Sequence, residues 1–112
     1  MRKFRFNVRG VTFDGRQAHI AKLTGDEPVR IIPEPDNPFD PNALGVNVAY
    51  QGKVIHIGYI PIERAKEYAP YLDGESLDGR IIEITGGFET RDGDTAALGV
   101  IVEFELPEDE EE

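Results

Sequence analysis

Prolines at positions 35, 38 and 41 decide what the middle of this chain is unable to become. Each fixes φ and removes an amide donor, so residues 35–44 have no place inside a helix or a central strand. Between them stand Asp36, Asn37, Asp40 and Asn42, whose short polar side chains bond back to nearby amides and build turns. Phe39 sits in the middle of this preset polar loop. A rigid loop that presents a ring beside carboxylate and amide groups suits a small planar or polar ligand. A stiff corner with no ligand fits the same residues.

At 112 residues the chain fits one domain with a real core and has no room for a second. No apolar run approaches the roughly 20 residues of a membrane span, and the longest, residues 96–102, is broken by Gly99. Met1-Arg2-Lys3-Phe4-Arg5 is basic but lacks the apolar stretch of a signal peptide. The absence of cysteine excludes disulfides, thiolate zinc sites and cysteine nucleophiles. It fits a reducing compartment, so a cytoplasmic location without membrane association is expected.

A net charge of −10 argues against a polyanionic partner, but its distribution softens the argument. Glu108, Asp109, Glu110, Glu111 and Glu112 close the chain as an acidic tail, expected to be disordered after a domain at residues 1–106. Arg2, Lys3, Arg5, Arg9, Arg16 and Lys22 gather near the start, opposed there only by Asp14. The tail competes for that basic surface in this reading, and its removal is expected to tighten nucleic-acid binding at low salt.

Phe4, Phe6 and Val8 alternate with Arg5, Asn7 and Arg9, the period-2 pattern of a half-buried strand. Gly10 interrupts it, and Val11-Thr12-Phe13 are expected to continue it. Residues 16–23 suit a short helix closed by Thr24-Gly25. Val29 and Ile31 mark a second strand that Pro33 and Pro35 end, and Leu44, Val46 and Val48 a third. Gln51-Gly52-Lys53 is a hairpin turn into a fourth strand at residues 54–60. Pro61 opens a helix whose expected buried stripe is Ile62, Ala65 and Ala69. Residues 80–85 and 96–106 are two further strands. The fold class is mainly β (α+β): a small six-stranded barrel of the oligonucleotide-binding or SH3-like kind with two short helices.

Chemistry-bearing patterns are few. Asp36, Asp40 and Asn42 alternate like calcium ligands, yet Pro41 replaces the required loop glycine and Asn47 the closing glutamate. His19 and His56 have no second ligand at metal spacing. Gly86-Gly87 is followed by neither lysine nor helix, so it is no phosphate loop. No nucleophile, base and orienting group can be assembled from spacing, so neither catalysis nor a cofactor is expected.

The run Glu34-Pro-Asp-Asn-Pro-Phe-Asp-Pro-Asn-Ala-Leu-Gly-Val46, with Ile57-Gly58-Tyr59-Ile60-Pro61 and the earlier Phe6-Asn-Val-Arg-Gly-Val-Thr-Phe13, resembles the HIRAN domain. The similarity runs over most of residues 4 to 105. HIRAN domains are small modified oligonucleotide-binding-like barrels, found alone or fused to helicases and nucleases. In the helicase-linked member the domain takes the 3′-hydroxyl end of single-stranded DNA. The resemblance implies that Phe39 stacks on the terminal base, that Asp40 accepts from the 3′-hydroxyl, and that Asn37 lines the same pocket. Stacking is worth about 1–3 kcal/mol and tolerates any base. A carboxylate accepts from a free hydroxyl and repels an internal phosphate, so it selects an end. The chain departs from that member at Phe6-Asn7, where an arginine-tyrosine pair stands, at Tyr59 in place of a histidine, and at Pro61-Ile62 in place of two lysines. Arg9, Arg30 or Arg64 then supply the phosphate contacts, with Tyr59 along the groove.

Two functions from different classes follow. One is a non-catalytic module for single-stranded DNA 3′-ends in repair or replication, with a helicase or nuclease as possible partner. The other is a protein-interaction adaptor that keeps the barrel without DNA binding. Oligomeric state is open.

Overall fold

A computed structural model describes residues 2–106; the acidic tail expected to be disordered lies outside the described residues. Six strands form one antiparallel sheet: β1 (Arg2–Asn7), β2 (Pro28–Pro33), β3 (Leu44–Tyr50), β4 (Lys53–Tyr59), β5 (Leu77–Thr85) and β6 (Gly99–Leu106). Their order is β1-β6-β5-β2-β3-β4. Helix α1 (Arg16–Ile20) follows β1, and α2 (Ile62–Leu72) follows β4.

Alternation places the core. Val29 and Ile31 of β2, Leu44, Val46 and Val48 of β3, and Val100, Val102 and Phe104 of β6 point inward and are buried. The sheet curls so that its edges, β1 and β4, approach each other, but no ladder closes it. The edges meet in a single bridge just beyond β1, where the Arg9 amide donates to the Tyr59 carbonyl at 2.7 Å and the Tyr59 amide returns to Arg9 at 2.9 Å. Gly58 permits this contact. Its φ is +151°, and a Cβ there would run into the Arg9 carbonyl and the Val8 side chain.

A bulge lies beside the bridge. Val46 pairs with Gly58 and Asn47 with His56, so Ile57 is the extra residue of β4. In a regular strand His56 and Tyr59 would lie on opposite faces. The bulge turns both to one face, where their rings meet edge to face at 4.8 Å.

Several local expectations change: α1 ends at Ile20, and β5 begins at Leu77. Val11-Thr12-Phe13 do not extend β1, because the chain turns after the bridge: the Phe13 amide donates to the Gly10 carbonyl and that of Arg16 to Phe13. β6 begins at Gly99, since residues 86–98 form a separate arm bridged between Glu89 and Thr95. On α2 the buried stripe is Ala65, Tyr68 and Leu72, while Ile62 is 61% exposed. The stripe is set by Tyr68, whose ring packs on Phe4 at 4.7 Å and Phe6 at 5.7 Å. No helix among the described residues is long and apolar enough to cross a membrane.

Candidate nucleic-acid interface

The proline-spaced loop between β2 and β3 is held by its own side chains. Its ends are tied where the Glu34 amide donates to the Ala43 carbonyl at 2.9 Å. Asn37 Oδ1 accepts from the amides of Phe39 at 2.9 Å and Asp40 at 3.1 Å. Asp40 Oδ1 accepts from the Asn42 amide at 2.9 Å. These are the side-chain turns that short polar residues make between prolines. They consume Asn37 Oδ1 and one Asp40 oxygen. The other Asp40 oxygen has no hydrogen-bond partner among the described residues. Held this way, the loop projects Phe39 outward, with 94% of its surface exposed. An apolar ring that exposed gains nothing from the core.

Phe39 stands over a cleft of about 520 Å³ between this loop, the end of β4, the start of α2 and the turn after β1. Arg9, Asn37, Phe39, Asp40 and Tyr59 all line it. Arg30 and Arg64 do not. Arg30 faces solvent from β2 and donates to Asp78 at 2.9 Å. Arg64 lines an adjoining hollow and donates to Glu67 at 3.1 Å.

The wall of the cleft is a connected set. The Tyr59 hydroxyl donates to Glu34 Oε1 at 3.0 Å, and Asn37 Nδ2 donates to the same oxygen at 3.1 Å. The Glu34 carboxylate lies against Gly45, where an added Cβ would stand 2.6 Å from Glu34 Oε2. On the other side the Arg16 guanidinium lies 5.6 Å from the centre of the Tyr59 ring. Arg16 is 8% exposed, and it donates to the Gly10 carbonyl at 2.7 Å and to Asp14 at 3.3 Å. Burial raises the Tyr59 pKa, and the bond to Glu34 raises it further, so the hydroxyl stays a donor. Burial and the nearby Arg16 charge lower the pKa of His56, against the opposing pull of Glu34. His56 Nε2 is buried with no hydrogen-bond partner among the described residues.

Arg16, Glu34 and His56 thus belong to the site without having been singled out for it. Arg16 appears in the sequence only as one of several early cations. Glu34 reads as the start of the proline loop. His56 reads as a strand residue until the bulge turns it toward Tyr59. Among the described residues no group of histidine, aspartate and glutamate side chains is arranged to hold a metal ion.

An exposed ring, a carboxylate and two arginines line one cleft of a small domain built on a bent antiparallel sheet. The HIRAN domain model matches residues 1–104, and the chain belongs to the HIRAN domain family, which is generally associated with nucleic-acid binding. No curated protein and no solved structure matches the chain significantly.

Proposed function

We propose that the protein binds the 3′-hydroxyl end of single-stranded DNA in the Phe39 cleft, as a non-catalytic module acting in DNA repair or replication inside the cell. The observation that carries this reading is the exposure of Phe39 on the same cleft as an Asp40 oxygen without a partner among the described residues. A terminal base stacks on the ring, with Ile62 supplying a second apolar surface on the same cleft. The outward Asp40 oxygen accepts the terminal hydroxyl and repels a phosphate in that place. Asn37 acts through the loop, since its side chain already bonds Glu34 and two loop amides. Arg9 holds the backbone, and Tyr59, backed by the buried Arg16, forms the wall. A helicase or nuclease that needs a located DNA end is the partner this activity would serve.

A protein-interaction adaptor is the second reading, favoured by the two exposed apolar residues, Phe39 and Ile62, on one cleft. Fluorescence anisotropy with oligonucleotides ending in 3′-hydroxyl or 3′-phosphate separates the two. Preference for the hydroxyl, abolished by Asp40→Ala and unaffected by Arg30→Gln, supports end binding. No binding of either oligonucleotide at low salt favours the adaptor.

A further inference from the structure

A second cavity of about 580 Å³ adjoins the Phe39 cleft and shares Asp14 and Arg16 with it. Its walls come from α1, the residues just after it, and the β3–β4 hairpin, and they carry Lys22, Lys53, His19 and Tyr50. The single carboxylate in this wall, Asp14, is already bonded by Arg16. Lys22 and Lys53 have no ion-pair partner among the described residues. In a chain of net charge −10, a hollow with two uncompensated ammonium groups is a local reversal of sign.

The hollow on the other side of the cleft differs. It holds about 310 Å³ and is lined by Arg5, Arg9 and Arg64. Arg5 is held by Glu103 at 2.6 Å and Arg64 by Glu67 at 3.1 Å, and Glu63 adds a further negative charge. Only Arg9 there remains uncommitted. Pro61 and Ile62, at the start of α2, add no charge. Phosphate neutralisation governs affinity for nucleic acid, so the free cations set the direction of the strand.

We infer that a single strand whose terminus occupies the Phe39 cleft runs past Arg16 into this second cavity, where Lys22 and Lys53 neutralise phosphodiesters of internal nucleotides. Tyr50 offers a ring to one of their bases. The ligand class is the polyanionic backbone itself, without sequence preference. This inference rests on the end-binding reading, but it concerns different residues and a different part of the ligand.

The test is anisotropy with 3′-hydroxyl oligothymidylates of two to ten nucleotides at 50–200 mM salt. Wild type is compared with the exposed double variant Lys22→Gln/Lys53→Gln and with Phe39→Ala. The expected result is that wild type binds the longer strands more tightly. In the lysine variant that gain is lost, and the slope of log affinity against log salt shrinks by about 1.4, at roughly 0.7 per phosphate contact. Dinucleotide binding is expected to stay as in wild type. If binding depends on Phe39 but keeps the wild-type salt slope and length dependence in the lysine variant, the second cavity is overturned and end binding stands. If binding depends on the lysines but ignores Phe39 and the 3′-group, the end-binding reading falls and the cationic cavity stands. If no oligonucleotide binds at 50 mM salt, both are overturned.

Discussion

Tyr59 of β4 donates its hydroxyl to Glu34 at 3.0 Å, joining a sheet edge to the loop that carries Phe39 and Asp40. Glu34 passes the link on to Asn37, and Asn37 fixes the Phe39 and Asp40 amides. The chain of bonds sets where the exposed ring stands relative to the wall of the cleft. Tyr59→Phe removes one such bond and is expected to cost about 0.5–1.5 kcal/mol of stability. Glu34→Ala releases both donors and is expected to weaken DNA-end binding by more than its effect on stability predicts. A double-mutant cycle on unfolding, using these two variants, is expected to give a coupling energy of about 0.5 kcal/mol or more. Strict additivity would show that the bond carries no energy of its own.

Phe39 makes the complementary case, a residue whose loss the fold does not feel. With 94% of its surface exposed, Phe39→Ala is expected to change stability by no more than about 0.5 kcal/mol. The same substitution removes the stacking surface, worth about 1–3 kcal/mol, or roughly 5- to 150-fold in affinity for a single-stranded end. Thermal unfolding and anisotropy on the same preparation check both halves. A large drop in melting temperature would mean that the ring packs in solution and is not a platform.

The meeting of the two sheet edges depends on Gly58. Gly58→Ala introduces a Cβ where the Arg9 carbonyl and Val8 already stand, at a backbone angle of +151° that L-residues rarely adopt. The expected cost is about 1–3 kcal/mol, with faster amide exchange at Arg9 and Tyr59, the two residues of the bridge. Hydrogen exchange read at those amides separates a local parting of the edges from global loosening. Unchanged protection at both would show that the bridge survives the added methyl.

How much of this was legible beforehand follows from the range over which each feature is determined. The proline spacing and the polar residues between the prolines act locally, so the turns follow from the sequence itself; the exposure of Phe39 does not, since a buried phenylalanine is the commoner case. Alternation in Leu44, Val46 and Val48 likewise identifies a core strand, since inward-facing positions are set by period alone. The bulge at Ile57 has no such signal. It is fixed by the register against β3, and with it goes the placement of His56 beside Tyr59. Arg16 and Glu34 were hidden for the same reason, because their partners come from the β1–α1 turn, β4 and the loop, which only the folded chain brings together. The arginines illustrate both sides. Arg9, Arg30 and Arg64 are equivalent as sequence, yet the sheet puts Arg9 on the cleft and Arg30 against Asp78. Ile62 reads as a buried helix position, but Tyr68 sets the rotation of α2 by packing on Phe4 and Phe6.

Acid is expected to lower the stability of the fold in two steps, traceable to His56 and Glu103. Burial, aided by Arg16, holds the His56 pKa below its ordinary value of 6.5. The unfolded chain therefore takes up this proton first, and the neutral ring contributes stability that is complete above 6.5. That contribution declines as pH falls from 6.5 toward the lowered folded value and levels off below it. Glu103 is 4% exposed, and its carboxylate accepts from Arg5 at 2.6 Å and from Arg80 at 2.9 Å. The bond from Arg5, followed by that from Arg80, holds its pKa below the ordinary 4.5. Its contribution is present above 4.5 and is lost as pH falls further, through the lowered value. Protonation of surface acids relieves the repulsion of a chain at −10 and pushes the other way, so the comparison must be made against variants. Melting temperature followed from pH 8 to pH 3 is expected to lose its first decline in His56→Gln and its second in Glu103→Gln. A wild-type acid profile retained in both variants would show that neither group is coupled to folding.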